Sequence, residues 1–201
     1  MLWIGLTGGL ASGKSSVAKI LRHKNIPVVC ADTLARQAVA LGSDGLKQVV
    51  AHFGVDILTS AGEIDRKKLA AQVFGHKANL DKLESIIHPI VRQLTKENRE
   101  KLQKQGIQIA FYDVPLLFEK NMQGLFDKTV VVHTTEANQI KRAISRDKAT
   151  EEQVKSRMAH QIALKEKVKK ADFAIENSAG MIELELAVED LLIKLHYQPQ
   201  E

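Results

Sequence analysis

The sequence predicts a three-layer α/β fold with a mainly parallel sheet. Short apolar segments rich in β-branched residues alternate along the chain with longer segments of helical periodicity. A glycine-rich turn also follows the first apolar segment directly. The chain has 201 residues, of which 44% are hydrophobic and 26% charged. That composition is typical of globular proteins, and the length suffices to bury a core without disulfides or metal.

Each predicted strand is a short apolar or β-branched run. The predicted strands are residues 2–7, 27–30, 107–112, 129–133 and 173–176, and the predicted helical segments are 15–24, 33–39, 43–105, 136–146, 151–170 and 181–195. Within 43–105 we expect a turn at residues 59–62. Pro89 predicts a break or kink near His88, because proline removes a helical hydrogen bond. We expect Cys30 to be a buried strand residue rather than a nucleophile, and Trp3 to pack on the sheet.

One motif carries specific chemistry. Gly8-Gly9-Leu10-Ala11-Ser12-Gly13-Lys14-Ser15 fits G-x-x-x-x-G-K-[ST], the phosphate-binding loop, and it lies between a predicted strand and a predicted helix. Its glycines let backbone N–H groups approach phosphates, and the helix directs its positive end to the same anion. Lys14 supplies charge at the β- and γ-phosphates, and the Ser15 hydroxyl is a Mg²⁺ ligand. The motif predicts that the protein binds a nucleoside triphosphate.

Charge and composition narrow the classes further. Residues 1–26 carry four basic side chains and no acidic one, and residues 136–170 carry ten basic and five acidic side chains. A solvated helical face or an anion site would each explain such runs. The single cysteine excludes a disulfide framework and fits a reducing compartment. We expect a cytoplasmic protein, because no apolar run is long enough to span a membrane and the first residues do not resemble a signal peptide.

Several acidic and basic residues are candidates for phosphoryl transfer. A GTPase would need N-K-x-D, which is absent, so a small kinase is favoured. Asp32 follows the second predicted strand, where it would be either a helix N-cap or a site carboxylate, and Arg36 lies one turn further on. Asp113 ends the third predicted strand at a position suited to Mg²⁺, although Gln108 interrupts that strand's apolar run. Arg142 and Arg146 share a helix face and would either grip phosphates or form surface pairs.

The ordered set of motifs resembles the dephospho-coenzyme A kinase family along nearly the whole chain. The matching residues are Leu6-Thr7-Gly8-Gly9 with Ser12-Gly13-Lys14-Ser15, Ala31-Asp32 with Ala35-Arg36, His88-Pro89, Asp113-Val114-Pro115-Leu116-Leu117-Phe118-Glu119, Arg146-Asp147, Gln161, and Ala171-Asp172 with Ile175 and Asn177. The resemblance implies a P-loop kinase fold with a five-stranded parallel sheet. It also implies ATP-dependent phosphorylation of the ribose 3′-hydroxyl of dephospho-CoA, the final step of coenzyme A biosynthesis.

The resemblance assigns roles by position. Ala11, Ser12, Gly13, Lys14, Ser15 and Ser16 would wrap the ATP phosphates, and Asn177 would lie near the adenine. Asp32 would take the proton from the acceptor hydroxyl or orient it, Arg142 and Arg146 would be lid arginines, and His88 would belong to the acceptor-binding helices. The turn at Pro115 and Leu116 would face the acceptor or cap the core. The family usually has Asp-Ala-Asp where this chain has Cys30-Ala31-Asp32, which removes one acid but not the candidate base.

We therefore expect one kinase domain, a monomer, with ATP, Mg²⁺ and dephospho-CoA as its ligands and no nucleic acid or membrane partner. Its core would comprise residues 1–42, 106–136 and 171–201, with an acceptor-binding helical region at about 43–105 and a lid at about 137–170. A nucleoside or nucleoside-monophosphate kinase is the alternative enzyme. An ATP-binding regulatory or nucleic-acid-binding module that uses the basic segment is the alternative outside enzymes.

Overall fold

The computed structural model describes residues 1–197. Its strands are β1 (Leu2–Gly8), β2 (Val28–Cys30), β3 (Ile109–Asp113), β4 (Lys128–His133) and β5 (Phe173–Glu176). Its α-helices are α1 (Lys14–His23), α2 (Ala31–Ala38), α3 (Asp44–Phe53), α4 (Arg66–Val73), α5 (Lys77–Lys104), α6 (Glu136–Asp147), α7 (Glu151–Ala159), α8 (Leu164–Lys170) and α9 (Met181–Lys194). The predicted alternation of strands and helices is confirmed.

The five strands form one sheet in the order β2-β3-β1-β4-β5. β1 pairs in parallel with β3 and with β4, and β4 pairs in parallel with β5. The chain leaves β1 toward β2 on one side and leaves β4 toward β5 on the other. The carboxyl ends of β1 and β4 therefore meet at the point where the topology reverses, and ligands of open α/β sheets bind at this kind of point. The three-layer α/β prediction with a five-stranded sheet is confirmed.

The chain divides into two compact units. The first comprises Met1–Val29 and the chain from Leu102 onward, and the second comprises Cys30–Lys101. The core of the first unit packs one face of the central strands, including Ile4, Leu6 and Phe111, against α1 and α9. The opposite face is buried as well, at Trp3 and Tyr112 among others, which explains why β1 is an unbroken apolar run rather than an alternating one. Leu184, Val188, Leu191 and Leu192 of α9 are buried there, and Leu195, the residue after α9, is partly buried.

The second unit has a core of its own. Val49, Phe53, Ile57, Leu69 and Ile86 are buried together, so α3, α4 and α5 each contribute to it. Between α3 and α4 the chain makes a 3₁₀ turn and then the predicted turn at residues 59–62. Two hydrogen bonds of 2.8 Å close it, from Thr59 N to the Glu63 carbonyl and from Asp65 N to the Ile57 carbonyl.

Asp172, from the resemblance motif, joins β4 to β5. Its carboxylate accepts hydrogen bonds from the Thr129 backbone N and Thr129 Oγ1, both at 2.8 Å, and pairs with Lys128 at 3.3 Å. Burial acts to raise the pKa of Asp172, but these hydrogen bonds and the lysine charge outweigh it and hold the pKa below its usual value. The role of this motif is therefore to fix the edge of the sheet.

Three local predictions were wrong. Asp32 is not the N-cap of α2, one of its two expected roles, because the helix begins two residues earlier: Cys30 is the extended N-cap residue, and Asp32 lies in the first helical turn. Of the predicted break or kink at Pro89, the break is wrong: α5 continues from Lys77 to Lys104, since the hydrogen bonds of a 28-residue helix outweigh one missing donor. Cys30 is half-buried rather than buried, since it leaves the sheet at the strand's last residue.

The predicted helix over 151–170 consists of two shorter helices. α7 ends at Ala159, and α8 starts at Leu164 after four residues that belong to neither helix. Within residues 1–197 no helix combines the length and the apolar character needed to cross a membrane.

Candidate active site

The phosphate loop lies between β1 and α1, at the reversal point of the sheet. Gly13 has a φ of +94°, a left-handed conformation that L side chains rarely adopt. A Cβ atom on Gly13 would lie 1.8 Å from Asn177 Nδ2, and a Cβ atom on Gly8 would lie 2.5 Å from Ser12 Oγ. Both glycines are therefore required by close packing around the loop, which explains the two fixed positions of the motif.

The loop places the amino end of α1 at its centre. The helix has no side-chain cap and no acidic residue in its first turn. Its first N–H groups have no partner within the helix, and the helix dipole adds a partial positive charge at the same end. An anion is the partner that this arrangement suits.

Lys14 and Asp113 form an ion pair at the carboxyl edge of the sheet, where the first comes from the loop and the second ends β3. Ser15 is exposed beside them at the start of α1. A serine hydroxyl and one carboxylate are the oxygen donors with which proteins hold Mg²⁺ when substrate phosphates complete the coordination. Among residues 1–197, no group of three or more His, Cys, Asp or Glu side chains is arranged to hold a metal ion by itself.

A cavity of about 270 Å³ opens beside the loop. Its lining includes Gly13, Ser16, Arg142 and Asn177. Asn177 follows β5 and donates through Nδ2 to the Ser12 carbonyl at 2.8 Å, so it holds the loop as well as lining the cavity. Arg142 Nη1 is buried and has no hydrogen-bond partner among the residues that the structure describes. A buried guanidinium N–H without a partner needs an acceptor, and a phosphate oxygen is suited to that role.

Arg146 takes part in a different arrangement, at the exposed end of α6. Its Nε and Nη2 donate to the two carboxylate oxygens of Asp147 at 2.7 and 3.0 Å, and Arg157 Nη2 from α7 donates to Asp147 Oδ2 at 2.8 Å. The hydrogen bond from Arg146, followed by that from Arg157, lowers the pKa of Asp147 to about 2. The structure therefore does not bring Arg146 into the cavity that Arg142 lines.

The second unit contains a larger cavity of about 530 Å³. Asp32 and Arg36 from α2 line it together with Glu63 and Arg66, and the rest of the lining is mostly aliphatic. Asp32 is exposed in the first turn of α2 and does not occupy the N-cap position. The structure thus brings two of the predicted acceptor residues together and adds a second arginine that the sequence did not single out.

The remaining predicted residues are more peripheral. His88 is exposed on α5, and the adjacent Ile87, not His88, lines the larger cavity. The Pro115 carbonyl accepts a hydrogen bond from Thr7 Oγ1 at 3.0 Å, which fastens the turn after β3 to β1. Leu116 is 38% exposed, while the next two residues of the turn are buried.

Four polar residues around the loop were missed as site residues: Glu119, Gln139, Gln161 and Lys167. Gln139 Nε2 donates to the Leu10 carbonyl at 2.6 Å, and Gln161 Oε1 accepts from the Leu10 backbone N at 3.1 Å. Lys167 Nζ pairs with Glu119 at 2.6 Å beneath the loop. Gln161 and Glu119 belong to the motifs that carry the family resemblance, and this membership could have identified them as site residues. Lys167 lies in a lysine-rich segment whose composition predicts exposure to solvent.

The parallel sheet, the glycine-rich loop and the lysine–aspartate pair together define a P-loop kinase. Residues 2–183 match the family model described as dephospho-CoA kinase. The chain belongs to the dephospho-CoA kinase family, as the sequence motifs predicted.

Individual relatives agree with this assignment. The dephospho-CoA kinase of Bdellovibrio bacteriovorus is 44% identical over 178 residues, which cover 89% of this chain and 88% of that protein. A crystal structure of a Thermus thermophilus protein matches with a TM-score of 0.81 at 33% identity, and it covers 96% of this chain and 97% of that one. Dephospho-CoA kinase from Campylobacter jejuni matches with a TM-score of 0.68 at 28% identity, and covers 96% of both chains.

Proposed function

We propose that this protein transfers the γ-phosphoryl group of ATP to the ribose 3′-hydroxyl of dephospho-CoA and releases coenzyme A and ADP. The observation that carries the donor half is the cavity beside the phosphate loop. It is lined by the amino end of α1 and by Arg142, whose buried Nη1 has no partner in residues 1–197. These groups offer positive charge in the fixed arrangement that phosphoryl transfer needs.

The residues of the loop divide the work on the donor. Gly8, Gly9, Ala11, Ser12 and Gly13 provide the backbone cradle, Lys14 provides a point charge at the transferred phosphate, and Asn177 and Ser16 border the cavity. We assign magnesium to Ser15 and Asp113, whose oxygens suit it. A bound Mg²⁺ ion neutralises charge that develops on the β- and γ-phosphate oxygens.

The cavity of the second unit is our candidate for the acceptor. Dephospho-CoA has a ribose hydroxyl, a pyrophosphate and a long pantetheine chain, so its site needs a carboxylate, cations and an apolar wall. Asp32, Arg36 and Arg66 supply the first two, and Val39, Leu41, Ile64, Leu69 and Ile87 are among the apolar lining residues. We propose that the Asp32 carboxylate either accepts the proton of the 3′-hydroxyl as a general base or orients this hydroxyl through a hydrogen bond. We propose that dephospho-CoA also contacts His88, Pro115 and Leu116 at the periphery of its site.

The proposal includes the division of the chain that the sequence suggested. The core comprises residues 1–42, 106–136 and 171–201, of which 198–201 lie outside the described residues. Residues 43–105 bind the acceptor together with Asp32 and Arg36. Residues 137–170 form a lid whose arginines, Arg142 and Arg146, close over the phosphates. We expect the enzyme to act as a monomer in the cytoplasm, where its substrates are small molecules and not nucleic acids.

The test is an acceptor panel with Mg-ATP, in which ADP formation is followed with dephospho-CoA, nucleosides and nucleoside monophosphates. We expect turnover with dephospho-CoA, and a loss of about a hundredfold or more in kcat for Asp32→Asn with little change in ATP affinity. Asp44→Asn is the matched control, since Asp44 is also an exposed acid in the first turn of a helix of the same unit. Turnover of a nucleotide acceptor alone would contradict the proposed substrate, and an Asp32→Asn enzyme as fast as wild type would contradict the role of Asp32.

A further inference from the structure

Residues 161–167 lie against the first half of the phosphate loop. Gln161, Leu164 and Lys167 are spaced by three residues, and they contact Leu10, Gly9 and Gly8 in that reverse order. Gln161 Oε1 accepts from the Leu10 backbone N at 3.1 Å, and Lys167 Nζ reaches the Gly8 carbonyl at 3.5 Å. The Leu164 methyl groups lie 3.3 Å from where a Cβ atom on Gly9 would be.

The lysine of this segment is fully buried. Its side chain has no exposed surface, and its Nζ pairs with Glu119 Oε1 at 2.6 Å. The same carboxylate oxygen accepts from the Ile162 backbone N at 3.1 Å, so Glu119 fixes both ends of the segment. Removing two charges from water is costly, and replacing such a pair with apolar residues is often neutral for stability. The pair therefore requires an explanation other than stability.

The contacts on Leu10 supply that explanation. Both of its backbone polar groups are occupied, the N–H by Gln161 and the carbonyl by Gln139 Nε2 at 2.6 Å. A planar trans peptide directs its carbonyl and the following N–H to opposite sides. Gln139 and Lys167 hold the carbonyls of Leu10 and Gly8 on their own side of the loop. The N–H groups that follow these carbonyls, those of Ala11 and Gly9, therefore point toward the opposite face of the loop.

We propose that Gln139, Gln161 and Lys167 are positioning residues that fix the peptide orientations of the phosphate loop and so set its affinity for the nucleotide phosphates. Glu119 holds Lys167 in place. The inference rests on the proposed function, because it takes ATP as the ligand of the loop. It also takes residues 161–167 out of the moving part of the proposed lid and makes them a fixed part of the donor site.

The first test removes one hydrogen bond at a time. Gln161→Met and Gln139→Met each leave one Leu10 backbone group without its partner, and we expect each to weaken binding of a non-hydrolysable ATP analogue by about fivefold to tenfold. Gln161→Glu keeps an acceptor for the Leu10 N–H, so it is expected to bind more tightly than Gln161→Met. Affinity for dephospho-CoA is expected to stay unchanged in all three, whereas general structural damage would lower both affinities.

The second test removes the buried pair. Because Lys167→Met alone leaves a buried carboxylate and is liable to unfold, the informative variant is Lys167→Met with Glu119→Leu, which removes both charges. We expect a folded protein with the KM for ATP raised about tenfold or more. Lys169→Met is the matched control, since Lys169 is an exposed lysine of the same helix, paired with Glu166 at 2.8 Å, and its loss is expected to change neither constant.

Two results would overturn the inference. One is wild-type nucleotide affinity in Gln161→Met and Gln139→Met, and the other is wild-type KM for ATP in a folded double variant. If the double variant fails to fold, the glutamine variants decide. A wild-type protein that binds the ATP analogue but does not phosphorylate dephospho-CoA would instead refute the proposed function, and the binding comparison among the variants would still stand.

Discussion

Two groups of charged residues on the same unit lie in opposite surroundings. Lys167 and Glu119 form a pair beneath the phosphate loop, with 0% and 13% of their side chains exposed. Arg146, Asp147 and Arg157 form a cluster at the end of α6, where the arginines are about half exposed at 57% and 48%. Both groups belong to the basic segment 136–170 or contact it, but only the Lys167–Glu119 pair is shielded from water.

The difference teaches which charges can change partners. A buried pair loses most of its stabilisation when either partner leaves, so it suits a fixed geometry. An exposed arginine exchanges a carboxylate for water or phosphate at little cost, because its pairing in water is weak. Lys167 therefore fits the positioning of a loop, and Arg146 fits a residue that moves to a phosphate only when one is bound.

The largest expected effect comes from breaking the buried pair on one side only. Lys167→Met is expected to lower the free energy of unfolding by about 3–5 kcal/mol, because it leaves the Glu119 carboxylate buried without its partner. Urea unfolding of this variant and of the exposed control Lys169→Met measures the effect. Equal stability of the two variants would show that burial does not distinguish these lysines.

Arg142 and Arg146, the two arginines proposed for the lid, provide the next comparison. Arg142→Met removes the side chain whose buried Nη1 lies beside the loop and is expected to lower kcat/KM for ATP by about 10² to 10³. Arg146→Met removes an exposed one that Asp147 already holds, and we expect a smaller loss, of about tenfold. Steady-state kinetics at saturating dephospho-CoA gives both values. A larger loss at Arg146 than at Arg142 would reverse the assignment.

The smallest effect is a pH dependence of stability at the exposed cluster. The pKa of Asp147 falls from the ordinary 3.8 to about 2 because of hydrogen bonds from Arg146 and then Arg157. Because the pKa of Asp147 is lower in the folded than in the unfolded protein, its ionised carboxylate stabilises the fold. This stabilisation is fully present above about pH 4 and is lost as the pH falls toward 2. Thermal unfolding of wild type and Asp147→Asn from pH 5 to 2 is expected to show a small difference that shrinks with acid. A difference that grows with acid would contradict the sign.

The donor half of the site was predictable from sequence because its chemistry is local. Eight consecutive residues determine the phosphate loop, and Asp113 follows from the end of a predicted strand. Arg142 was singled out by its spacing from Arg146, but its buried Nη1 depends on tertiary packing that spacing does not reveal. The different surroundings of these two arginines became visible only in the structure.

The missed features share a physical cause. Lys167 is one of four lysines in the seven residues of α8, and only the fold decides which of them turns inward. The N-cap of α2 lies two residues before the expected position because Cys30 adopts the extended conformation that Asp32 was expected to have. Pro89 remained inside α5 because a long helix absorbs the loss of one donor. In each case tertiary context outweighed a local preference.

The most direct test of the central claim is a ³¹P NMR spectrum of the purified protein incubated with Mg-ATP and dephospho-CoA. We predict loss of the γ-phosphate signal, the appearance of ADP, and one new monoester signal that corresponds to a phosphate on the ribose 3′-oxygen in equal amount. ATP that stays intact with dephospho-CoA but is consumed with a nucleoside or nucleotide acceptor would contradict the account.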